Sequence, residues 1–117
     1  MSVERRSKPL RVVLRLYPYF YEALYLVLKC QTRDTIKKNV LDCTVSEMVV
    51  LELWLQKSKR IRANMLHPAR DRIRPLSLKY VEARALMTAL ATHDDHRIVH
   101  IHGMLHQAII NQTPHIY

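Results

Sequence analysis

A single glycine, Gly103, is all that this 117-residue chain contains. Average usage would place roughly eight in a chain of this length. Tight hairpins, glycine-rich phosphate loops and dinucleotide-binding turns need residues that tolerate positive φ, and such residues are nearly absent. The shortage argues for helices. At 49% apolar and 25% charged residues, the chain has the composition of a folded protein and is long enough to bury a core without crosslinks. The expected fold is mainly all-α, a compact bundle of about four helices with room for a short N-terminal strand. Residues 1–9 read as a basic arm ending at Pro9, and residues 10–117 as one helical domain.

The hydropathy pattern divides the chain further. Leu10, Val12, Leu14 and Leu16 alternate with Arg11, Val13 and Arg15, the period of a half-buried strand. Pro18 suits the first turn of a helix, where its missing N–H costs nothing. The following YFYEALYLVLK is apolar or tyrosine on nearly every side, as in a bundle centre or an element covered by another chain. Tyr19, Phe20, Tyr21, Leu24, Tyr25, Val27 and Leu28 are therefore candidates for a protein interface.

Thr44 and Glu47 have the spacing of a capping box, in which hydroxyl and carboxylate satisfy the first free amides of a helix. That helix is expected to run to about Leu66, with Met48, Leu51, Leu55 and Leu66 as its apolar line and Val50, Trp54 and Ile61 widening it. HPARDRIRP, bounded by Pro68 and Pro75, reads as a loop, after which Ser77 or a neighbour opens a helix carrying Ala83, Leu86, Met87 and Leu90. The last helix is expected to start near Asp94 or Asp95 and to continue to about Asn111, before Pro114.

Charge bears on partners rather than fold. With 19 Lys and Arg against 10 Asp and Glu, the chain carries a formal +9, which favours an anionic partner. The cations cluster: Arg5, Arg6 and Lys8 in the arm; Lys57, Lys59, Arg60 and Arg62 near a helix end; Arg70, Arg72 and Arg74 in the expected loop. Cations also complement the dipole of a helix C-terminus, which accounts for part of the second group. The start of the chain has the Arg-rich, acid-poor composition of an organelle-targeting peptide. Arg15, Glu22 and Lys29 interrupt the best candidate for a membrane span. Cys30 and Cys43 are too few for a disulfide framework, which suggests an intracellular protein, cytoplasmic or within a large assembly.

The stretch HDDHRIVHIHGMLHQ holds five histidines. At 100° per residue, His93, His96 and His100 would share one side of a helix beside the apolar stripe, so they form the candidate set for a metal. No HExxH, GxSxG, P-loop or dinucleotide fingerprint accompanies them. The sequence thus predicts no enzyme, no cofactor and no small-molecule substrate. Two readings lead: an interaction or assembly subunit with a protein partner or a second copy, and a nucleic-acid binder contacting the phosphate backbone through residues 57–74. Metal binding by the histidines is the third.

Overall fold

The computed structural model describes residues 11–112. The basic arm, with Arg5, Arg6 and Lys8, lies outside the described residues. Strand β1 (Arg11–Leu16) leads into helix α1 (Pro18–Lys37), and a short 3-10 turn (Val40–Asp42) connects it to α2 (Val45–Met65). Strand β2 (Arg74–Lys79) follows, then α3 (Tyr80–Leu90) and α4 (His96–Gln112). No described residue has positive φ. The mainly helical expectation holds, with the N-terminal strand in place.

The alternation at the start of the chain decides how β1 packs. Val12, Leu14 and Leu16 are buried while Arg11, Val13 and Arg15 face outward. The partner strand was not expected from sequence: β2 occupies part of the presumed loop and pairs antiparallel with β1, Arg11 opposite Lys79 and Leu16 opposite Arg74. Pro75 cannot donate to a ladder, but in a two-stranded sheet every strand is an edge and tolerates it. Leu76 and Leu78 complete the inner face. The following helix therefore begins at Tyr80 rather than near Ser77, with the Lys79 N–H donating to Glu82 at 2.7 Å.

Helices cover the inner face of the sheet. Tyr21, Ala23, Leu24 and Leu28 of α1 meet Val50, Leu53 and Ile61 of α2; Ala83, Leu86 and Leu90 of α3 and Ile98, Ile101, Leu105 and Ile109 of α4 close the core. Each fully buried large aliphatic contributes about 1.5–3 kcal/mol. Helix α2 has its capping box as expected, with Thr44 Oγ1 accepting from the Glu47 N–H at 3.1 Å and Glu47 Oε1 accepting from the Thr44 N–H at 2.9 Å. Its buried line is only partly the expected one, since Val50 and Ile61 of the expected set pack while the central line does not. Leu55 is 71% and Leu66 61% exposed, and Met48 also faces outward. The line that packs runs through Val50, Leu53, Ile61 and Asn64, with Lys57 half-buried along it. Apolar residues surround this helix, so periodicity alone could not choose a face; the neighbouring elements did.

Candidate nucleic-acid interface

Strand pairing builds a basic surface that no single segment contains. The outward positions of the sheet are Arg11, Val13 and Arg15 on β1 and Pro75, Ser77 and Lys79 on β2, with Arg11 directly opposite Lys79. Like charges facing each other across a sheet oppose the pairing. Lys57 of α2 extends its stem along the helix's packed line and donates from Nζ to the Ser77 carbonyl at 2.7 Å, bringing a fourth cation to the β2 edge. A lysine at that position also blunts the edge against strand addition. Lys59, Arg60 and Arg62 are exposed on the same helix.

The arginines of residues 70–74 have different roles from one another. Arg70 pairs with Glu22 and donates to the Met65 carbonyl, which ties the segment to α1 and to the end of α2. Arg72 is exposed. Arg74 turns to the inner side of β2, the side of Leu76 and Leu78, and is half-buried. Its carbonyl accepts from the Tyr21 hydroxyl at 2.8 Å. Tyr21 is fully buried, and burial raises its pKa to about 12, with Asn64 and the cations Arg60 and Arg74 pulling in the opposite direction. The charged groups acting on this hydroxyl are thus both arginines. Beside it, Asn64 Nδ2 and Arg74 Nε are buried, and the hydroxyl oxygen, its proton given to the Arg74 carbonyl, is left to accept from the Asn64 amide. Sequence reading missed Asn64 and Tyr21 as members of this group, because no local pattern marks an asparagine whose burial depends on two other elements.

The candidate protein interface on α1 is mostly internal. Tyr21, Leu24 and Leu28 are fully buried in the chain's own core. Phe20, Tyr25 and Val27 are half-buried against it, with Tyr25 beside Trp54 at a ring separation of 5.2 Å. Tyr19 remains 47% exposed. The apolar residues that α1 does present are Leu26 and Ile36, and beyond its end Val40, Leu41 and Val45 are 73%, 88% and 81% exposed.

The three histidines take separate partners. His93 precedes α4, and its Nε2 lies 3.1 Å from the Gln31 amide nitrogen, which also donates to the Ala89 carbonyl. His96 Nε2 lies 3.2 Å from the Tyr19 hydroxyl, and His100 packs on Phe20 at 4.8 Å between rings. Among the described residues no group of three His, Cys, Asp or Glu side chains is placed to hold a metal ion. Arg97 of α4 bonds to Asp95, faces Glu22 and lies 4.7 Å over the Tyr19 ring. Its side-chain bond holds the Asp95 carboxyl below the usual carboxylate range. That helix is thereby fastened to α1.

A cavity of about 400 Å³ between α1, α2 and α3 is lined by Gln31, Thr35, Lys38, Glu47, Val50 and Ala89, among others. Its Glu47 is already engaged by Lys38 and by the capping box. No helix among the described residues is long and apolar enough to cross a membrane. Comparison with protein-family models, curated proteins and solved structures returns no match.

Proposed function

We propose that the chain is a small non-catalytic subunit of an intracellular nucleoprotein assembly, and that it holds the phosphate backbone of nucleic acid. The observation that carries this reading is the convergence of Arg11, Arg15 and Lys79 on one sheet face, with Lys57 at its edge. A polyanion laid along that face neutralises several of these cations at once and releases its own counterions. Helix α4 offers little for base readout, since its Arg97 is engaged within the molecule. Binding is therefore directed at the backbone, without sequence preference.

The test is anisotropy of labelled duplex DNA, single-stranded DNA and RNA at low and moderate salt. Binding should weaken steeply with salt, by a slope of about 0.9 per neutralised phosphate on duplex DNA. Changing Arg11, Arg15 and Lys79 together to serine should weaken all sequences alike and flatten the slope by about two to three. No binding at low salt would reject the reading.

A second reading, docking on a protein partner or a second copy, draws support from the exposed Val40, Leu41 and Val45 at the α1–α2 turn. Light scattering tests it for self-association. Association removed by Leu41→Ser would place the contact there, and a monomer at high concentration would leave only a different protein as the occupant.

A further inference from the structure

The outward face of the sheet does not end with β1. Tyr17 follows Leu16 with extended backbone, φ −72° and ψ 156°, so the alternation of the strand carries on through it. Its ring takes the outward side, after Arg11, Val13 and Arg15, and is 41% exposed. At the same end of the sheet Ile73 adjoins Arg74, the register partner of Leu16, and is exposed as well. Arg15 stands opposite Pro75. One end of the face thus carries the cations Arg11 and Lys79, and the other carries apolar surface around Arg15.

Helix stability does not account for the tyrosine. Tyr17 is the N-cap of α1 and makes no side-chain capping bond, at a position where Ser, Thr, Asp or Asn would satisfy a free amide. Departures from a local rule of this kind mark functional positions. Tyr19 is no substitute for it, because Arg97 lies 4.7 Å over that ring. Phosphates alone would need only the cations. An exposed aromatic ring beside them suits a flat apolar partner, and the bases of nucleic acid present such faces only where they are unstacked. We propose that the outward sheet face takes single-stranded nucleic acid, with one base stacking on Tyr17, Arg15 holding the adjoining phosphate, and Arg11 and Lys79 holding the strand further along. Arg15 and Tyr17 are two residues apart on one side of an extended chain, roughly 7 Å, which one nucleotide bridges from phosphate to base. The platform rests on the nucleic-acid reading and narrows its substrate class to single strands. Every base has a face to stack, so sequence preference remains absent.

The experiment is anisotropy at low salt with labelled ligands of equal length: single-stranded DNA, single-stranded RNA, an abasic strand with the same phosphates, and duplex DNA. The parent should favour a base-bearing single strand over the abasic one by at least about fivefold, the lower end of what one stacked base contributes. The DNA and RNA arms separate the two sources of that strand. Tyr17→Phe should keep the preference. Tyr17→Ser should lose it, with affinity for the abasic strand and the duplex little changed, and its Tm should equal or exceed that of the parent because serine can cap α1. A lowered Tm with an equal loss on every ligand would assign the ring to the fold and overturn the platform. The two readings fail separately. A parent that binds base-bearing and abasic strands alike, with no response to Tyr17→Ser, removes the platform and leaves the basic face. A parent that binds none of the ligands removes both.

Discussion

Tyr21 ties three elements together through one oxygen, and its chemistry makes that joint sensitive to alkali. The ring fills the core from α1, while the hydroxyl donates to β2 and stands beside Asn64 of α2. Tyr21→Phe keeps the packing and removes the bond, so a loss of about 1 kcal/mol is expected in denaturant unfolding. The pH dependence follows from the raised pKa. Below pH 10 the hydroxyl is protonated in both folded and unfolded chains, and its contribution is complete. Between 10 and about 12 the unfolded chain releases its proton first, so stability falls as pH rises. Thermal unfolding followed from pH 9 to 11 should show a steeper decline in the parent than in Tyr21→Phe. Parallel declines would mean that the buried hydroxyl titrates as it does in the unfolded chain.

At the scale of elements, the sequence was most legible where a local rule and the tertiary environment agree. The alternation of β1, Pro18 at the start of α1, the Thr44–Glu47 box and the stripe Ile98, Ile101, Leu105 and Ile109 are all local signals that the fold keeps. Thr44→Ala should cost about 1 kcal/mol, because it orphans the Glu47 amide at an exposed helix start. Strand β2 was illegible because Pro75 signals a loop everywhere except on an edge, and only β1 makes an edge there. The candidate site suffered in the same way. The clusters 57–62 and 70–74 were visible as charge, but nothing local separates Arg70, paired with Glu22, from Arg74, turned inward beside Asn64. Gly103 gives the opposite lesson. Its scarcity pointed to helices, yet the residue itself sits inside α4 with no atom within 4 Å of an added Cβ and without positive φ. Gly103→Ala should therefore stabilise the fold by roughly 0.5–1 kcal/mol, measured as a higher denaturant midpoint with an unchanged slope.

For the whole molecule, charge sets folding and binding against each other in their response to salt. The chain carries a formal +9, and the cations gathered on the sheet face and on α2 repel one another in the folded state, a repulsion that added salt screens. Among the described residues the opposing ion pairs are few and partly exposed, and include Lys38 with Glu47, Arg70 with Glu22, and Arg97 with both Glu22 and Asp95. Exposed pairs of this kind contribute about 0–1 kcal/mol each and are screened too. Self-repulsion should dominate, and Tm should rise as sodium chloride is raised from low to moderate concentration. A falling Tm would instead assign the electrostatic balance to the pairs that fasten α1 to α4 and to the segment before β2. The rise matters for function because nucleic-acid affinity must move the other way, counterion release being lost as salt increases. Loss of binding while Tm climbs cannot come from unfolding. Replacing Arg11, Arg15 and Lys79 with serine should carry both signatures at once, a Tm at low salt that does not fall because the net positive charge is reduced, and a weaker, flatter salt dependence of binding. If the triple variant loses affinity and Tm together, those side chains are supporting the sheet, and the polyanion must be sought on α2.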